Sequence, residues 1–160
     1  MKEGEKMTQY LTFILDEEHY GIDISNVLEI VGMQKITQMP QQPDYVNGVI
    51  NLRGRIIPTI DVRTRFNKEK AKYDERTCII VVDVQETMVG FIVDRVDEVL
   101  TIQEESISEP PRFNQDFKGR YVKGIAKVED TIIMLLESER LLSERELQEA
   151  NLLKKEQTAV

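Results

Sequence analysis

Two small β-barrels, built from a duplicated run of short strands, are the mainly β fold that this 160-residue sequence predicts. Three observations lead there. First, Tyr45-Val-Asn-Gly-Val-Ile-Asn-Leu-Arg-Gly-Arg-Ile-Ile57 lies 76 positions before Tyr121-Val-Lys-Gly-Ile-Ala-Lys-Val-Glu-Asp-Thr-Ile-Ile133, with five of 13 positions identical. Second, the block Tyr20 to Val31 lies over Val89 to Leu100 at an offset of 69, matching Gly21, Val27 and Glu29 to Gly90, Val96 and Glu98. Two matched blocks in the same order indicate related halves. Third, the apolar runs are short, alternate with polar residues and are separated by turn residues, as in hairpin-rich barrels.

In chain order, Tyr20, Ile22 and Ile24 alternate with His19, Gly21 and Asp23, the period of a half-buried strand. Asp16-Glu-Glu-His19 and Gln85-Glu-Thr87 are polar breaks that join such strands into hairpins. Ser25 is placed to cap a short helical turn carrying Val27, Ile30 and Val31, with Gly32 ending it. Asp94 takes the matching cap position before Val96, Val99 and Leu100. Arg53-Gly54 punctuates Leu52 and Ile56-Ile57 as a tight turn in which Gly54 takes positive φ, and Glu129-Asp130 occupies the matching tip. Cys78 to Val82 is a continuous, mostly β-branched apolar run, suited to a strand buried on both faces.

The offset between the halves grows by seven from the first block to the second, which predicts an insertion within Arg112 to Arg120. At the C-terminus, Ser143-x-x-Glu146 fits a capping box, flanked by Leu142 and Leu147 as a hydrophobic staple. Leu147, Ala150 and Leu153 then form an apolar stripe. These signals divide the chain into a first half over 8–70, a second over 75–142, a helix over 143–155 and a frayed tail over 156–160, with strands open to exchange between halves.

Composition narrows the function. The longest apolar runs, Cys78 to Val82 and Ile132 to Leu136, are five residues each, whereas a membrane-spanning helix needs about 20. Neither a secretory signal nor a disulfide pair is present, so the expected setting is a reducing cytoplasm. With 21 basic and 29 acidic residues the net charge is −8, unfavourable for binding a nucleic-acid backbone. His19 and Cys78 are the single residues of their types, and no G-x-G or G-K-[ST] motif occurs. His19 is expected as a solvated turn residue and Cys78 as a small buried hydrophobe. No catalytic residue, metal site or cofactor is assigned, and the chain reads as a binding module.

Tyr20-Gly-Ile-Asp-Ile, Val27-x-Glu29-Ile30 and Val46-x-Gly48-Val49-x-Asn51-Leu52-Arg53-Gly54-x-x-x-Pro58-x-x-Asp61-x-Arg63 carry a closer likeness. Together with Val89-Gly90-x-x-Val93-Asp94-x-Val96 and Tyr121-x-x-Gly124, they make residues 8–142 resemble the CheW family of bacterial chemotaxis adaptors. The resemblance implies two SH3-like five-stranded barrels sharing a hydrophobic core. It also implies a non-enzymatic adaptor, cytoplasmic but recruited to membrane-associated arrays, that couples the tips of transmembrane chemoreceptors to the CheA histidine kinase. No cofactor, nucleic acid or direct membrane insertion belongs to that picture.

By position alone, Arg53 at a hairpin tip is as compatible with a solvated charge as with a binding residue. The resemblance assigns it to a receptor-facing surface. On that reading Ile24, Val27, Glu29, Gly48 and Arg53, with Val96 and Val99 opposite, line a groove between the barrels. Gly21, Gly54, Gly90 and Gly124 are read as backbone residues serving turns and close strand approach. The stretch from Arg53 to Lys72 holds seven basic residues against Asp61 and Glu69, and is read as a solvated loop between the halves. Its alternatives are a basic patch that steers an acidic partner and, more remotely, a nucleic-acid-binding barrel. An equivalent adaptor of a pilus or developmental pathway is a further alternative.

Overall fold

The computed structural model describes residues 6–40, 46–110, 121–142, 146–148 and 150–152. Its first half runs β1 (Met7–Leu15), β2 (Glu18–Asp23), β3 (Val27–Gly32), β4 (Val46–Leu52) and β5 (Arg55–Asp61), closed by the short helix α1 (Val62–Arg65). The second half runs β6 (Cys78–Val84), β7 (Thr87–Val93), β8 (Arg95–Gln103), β9 (Ile107–Ser108), β10 (Val122–Val128) and β11 (Thr131–Leu136). Residues 146–148 and 150–152 are helical. The insertion expected over 112–120, the cap at Ser143, Leu153 and the tail lie outside the described residues.

The strands form two sheets, ordered β3-β6-β7-β5-β4 and β8-β1-β2-β11-β10-β9. Neither sheet coincides with a half of the sequence. Each takes a hairpin from one half and its other strands, three in the first sheet and four in the second, from the other half, joined by a parallel pair: β5 with β7 in one sheet, β2 with β11 in the other. The two arrangements are the same pattern with the halves interchanged. Gly90 faces Thr59 across one parallel pair and Gly21 faces Leu135 across the other. The six-stranded count of the second sheet comes from the two-residue β9, whose counterpart in the first sheet is the single bridge between Thr37 and Val49.

Turn chemistry matches the duplication. Two-residue turns at Asp16-Glu17 and Gln85-Glu86 both place φ at 50° and 66°, the mirror-image turn that fits the twist of a hairpin. Arg53 (φ 53°) and Glu129 (φ 56°) occupy equivalent tips of the β4–β5 and β10–β11 hairpins. Gly48 and Gly124 lie at equivalent register shifts, following Val46 and Val122. A Cβ on Gly48 would lie 2.2 Å from the Thr37 carbonyl oxygen, and one on Gly124 would lie 2.4 Å from Ile107 Cγ2. Both glycines therefore admit the strand or bridge that crosses over them.

Two expectations are corrected. The segments after Ser25 and Asp94 are strands, β3 and β8, not helical turns. A 3-10 turn does occur at Ile24–Asn26, but its cap is Asp23, whose carboxylate accepts from the Ser25 backbone N–H at 2.9 Å. Val27, Ile30 and Val31 fit helical spacing, yet β-branched side chains favour a pleated surface, and β3 gains a full antiparallel ladder with β6. His19 is also not a turn residue. It lies in β2, half-buried, with Nδ1 3.9 Å from Asp97 Oδ2.

Apolar side chains collect in three places. Ile50, Leu52, Ile57, Ile79, Val81 and Ile92 fill one barrel; Tyr10, Ile102, Ala126, Ile133 and Leu135 fill the other. The largest cluster lies between them, with Phe13, Leu15, Tyr20 and Leu136 from one sheet against Ile80, Val82, Val89 and Phe91 from the other. The continuous run in β6 follows from this. Ile79 and Val81 face the barrel interior, while Ile80 and Val82 face the shared core, so both faces are fully buried. Phe13, Tyr20, Phe66 and Tyr121 form a ring series through that core, with centroids 5.7, 5.4 and 5.2 Å apart. Cys78 is half-buried at its margin.

Candidate functional site

Ile24, Val27 and Val96 are half-buried, each packed against the shared core at the seam between the barrels. Val27 stands at the start of β3, opposite Val82, and Val96 stands on β8, opposite Phe13. Val99, farther along β8, is exposed. Thus β3 of one barrel and β8 of the other, equivalent strands under the duplication, carry four of the seven residues expected to line the groove, and Ile24 lies on the approach to β3.

Glu29 and Arg53 meet directly. The Arg53 guanidinium Nη2 donates to Glu29 Oε1, tying β3 to the tip of the β4–β5 hairpin. The tip is shaped by Asn51, whose Oδ1 accepts from the Gly54 backbone N–H at 2.9 Å. Gly54 has φ 86°. The arginine side chain is 69% exposed and the glutamate 28%, so the pair presents a cation to solvent above a partly sheltered carboxylate. Gly48 is buried, and the space over it is taken by Thr37 of the same chain; it shapes the strand that leads to Arg53 without offering surface.

Sequence reading missed Leu28, Ile30 and Ile56, which are exposed at 50%, 44% and 41%. Leu28 and Ile56 line a groove of about 550 Å³ with Pro58, Met88 and Ala150 of the C-terminal helix. Part of the signal was available: once β3 is a strand, alternation turns Ile30 away from the side that holds Glu29 and Val31.

The basic stretch is a solvated loop only in part: Lys70 and Lys72 are exposed in an irregular segment, but other cations of the stretch are paired within the fold. Arg53 pairs with Glu29, Arg63 with Asp94, and Lys68 Nζ with Glu18 Oε1 at 2.7 Å. The Arg65 guanidinium lies 5.2 Å from the Tyr121 ring centroid, and Arg55 Nη1 lies 3.1 Å from Met88 Sδ. The hydrogen bond to Asp94, foremost among its surroundings, holds the Arg63 guanidinium above its ordinary value. These cations serve the fold, which weakens the alternative of phosphate binding. Burial pushes the Cys78 thiol up from its usual value, the opposite of what a nucleophile needs. Among the described residues no group of three His, Cys, Asp or Glu side chains is arranged to hold a metal ion.

Comparison with known proteins agrees with this architecture. The family model described as "CheW-like domain" matches residues 9–146. The chain is 39% identical over 145 residues to a chemotaxis protein CheW of Klebsiella aerogenes, covering 90% of this chain and 87% of that one. It is 33% identical over 157 residues to the CheW of Treponema pallidum, covering 95% and 92%. The crystal structure of the scaffolding protein TtCheW from Thermoanaerobacter tengcongensis superimposes with a TM-score of 0.79 at 39% identity, covering 85% of this chain and 92% of that one.

Proposed function

The chain belongs to the CheW-like family, chemotaxis scaffolds rather than enzymes, and from that premise we propose that it couples chemoreceptor tips to the CheA histidine kinase. Receptors engage the surface built from Ile24, Val27, Glu29, Arg53, Val96 and Val99. The kinase engages other barrel surfaces of this chain. The observation that carries the reading is the Glu29–Arg53 pair, which fixes an exposed guanidinium at a strained tip beside the exposed apolar residues of β3.

Such a site suits a helical receptor tip. Half-buried Ile24, Val27 and Val96 supply apolar contact at the seam, and the guanidinium supplies a directional, charge-assisted donor for a carboxylate or carbonyl. A scaffold transmits a signal only if it binds the signalling states of a partner unequally, so rigidity between its two surfaces is part of the mechanism. The shared core between the barrels joins the two surfaces in one packed body.

Co-sedimentation with receptor-bearing vesicles tests the reading. The purified chain sediments with the vesicles and carries the kinase with it. Kinase that sediments equally well without the chain, or a chain that stays in the supernatant, contradicts the proposal. No helix of the described residues is long and apolar enough to cross a membrane.

A further inference from the structure

The segment Pro58-x-x-Asp61-x-Arg63 ends in an arginine that the receptor-facing surface does not use. Its side chain is only 16% exposed. Nε and Nη2 donate to the two carboxylate oxygens of Asp94 at 2.7 and 2.9 Å, and Nη1 donates to the Glu69 carbonyl at 2.9 Å. Asp16 approaches Nη2 at 3.6 Å, and the backbone N–H of Asp16 donates to Asp94 Oδ2 at 2.9 Å. Beside it, Lys68, 10% exposed, reaches Glu18 at 2.7 Å and Asp16 at 3.8 Å.

These groups come from three places. Arg63 sits on α1, directly after β5 of the first sheet. Asp16 and Glu18 lie at the β1–β2 hairpin of the second sheet. Asp94 is the single residue between β7 of the first sheet and β8 of the second. The arginine is itself held: its backbone N–H donates to Asp61 Oδ1 at 3.0 Å, and Asp61 Oδ2 accepts from the Tyr73 hydroxyl at 2.8 Å. The duplication does not repeat the arrangement. Ser25 stands where Asp94 does in the other half, and Glu139 where Arg63 does.

We propose that Arg63 is a positioning residue that locks the angle between the two barrels, and with it the placement of β3 relative to β8. The functional half of this inference rests on the reading of those strands as the receptor-facing surface. Apolar burial between the barrels is non-directional and tolerates many angles of approach. A two-pronged guanidinium–carboxylate pair does not, because both hydrogen bonds need one relative orientation. Sheltered ion pairs often add little net stability compared with apolar replacements, so this one acts on orientation more than on the melting point.

The test is a distance measurement between spin labels on Asp83→Cys in β6 and Lys127→Cys in β10, in a Cys78→Ala background. The Arg63 parent gives one narrow distance distribution. Arg63→Met broadens it and shifts its mean, and Arg63→Lys, which keeps the charge but loses the fork, also broadens it. Receptor-fragment binding by Arg63→Met weakens about tenfold, as expected when the competent orientation falls to a tenth of the population. An unchanged distribution in folded Arg63→Met overturns the lock. Should that variant not fold, Arg63→Met/Asp94→Asn, which leaves no stranded charge, carries the same test. A broadened distribution with unchanged receptor affinity overturns the positioning role. A parent chain that binds no receptor fragment overturns the functional reading instead, and the distances still decide the lock.

Discussion

Glu29 and Arg53 are ion-paired although β3 and β4 stand at opposite ends of their sheet's strand order. The pair therefore closes the open side of the barrel, next to the Thr37–Val49 bridge that closes it at the backbone. A residue assigned to partner binding thus has a second task in the free protein, that of holding the hairpin tip against β3.

Arg53→Glu is expected to separate the two tasks. The exposed pair contributes little to folding, so stability falls by only about 0.5–1 kcal/mol even with two carboxylates facing each other. At a desolvated receptor interface the reversal costs about 2–5 kcal/mol, roughly 30- to several-thousand-fold in affinity. Thermal melting, receptor-fragment binding and kinase binding on one preparation check this. Undisturbed receptor binding removes Arg53 from the surface.

Gly48→Ala is expected to lower stability by about 2–4 kcal/mol, since a side chain at φ +138° is strained and its Cβ meets a carbonyl oxygen. Gly124→Ala costs less, because the Ile107 side chain can yield. Gly32→Ala, with nothing within 4 Å of the added carbon, stays within about 0.5 kcal/mol. Urea titrations rank the three. Equal midpoints would show that close approach is not what these glycines provide.

Phe66→Ala removes the middle of the ring series that joins Tyr20 to Tyr121 and should cost about 3–5 kcal/mol. Phe66→Leu, which keeps most of the volume, should lose less than half of that. Calorimetric melting of the pair distinguishes packing from a change in the unfolded chain.

Cys78 should react with iodoacetamide about tenfold more slowly than glutathione at pH 8, because its raised thiol value and partial burial both suppress attack. His19→Ala/Cys78→Ala should retain receptor and kinase binding. Loss of binding in a folded double variant would reveal a binding role for one of these two side chains.

Much of this architecture was legible because it is local. Hairpin tips, the glycines and the duplication itself are written in short segments such as Arg53-Gly54 and Gly90-Phe91. What was misread depends on distant partners. Val27, Ile30 and Val31 satisfy helical spacing and β alternation alike, and the strand β6 that decides between them begins at Cys78. The interchange of hairpins rests on parallel pairs, Gly21 with Leu135 and Thr59 with Gly90, that no local pattern announces. Arg63 looked like one cation in a basic run because its carboxylate lies 31 positions away. Ile30, part of the apolar stripe in the helical reading, lies on the surface in the strand.

The central claim is that one chain holds receptor and kinase at once on separate surfaces. Its most direct test is sequential binding: the immobilised kinase is saturated with the chain, and a chemoreceptor cytoplasmic fragment is then added. The account predicts a second, chain-dependent binding step that Arg53→Glu abolishes while the first step is kept. Displacement of the chain from the kinase by the receptor fragment, or the same second step with Arg53→Glu, would contradict it.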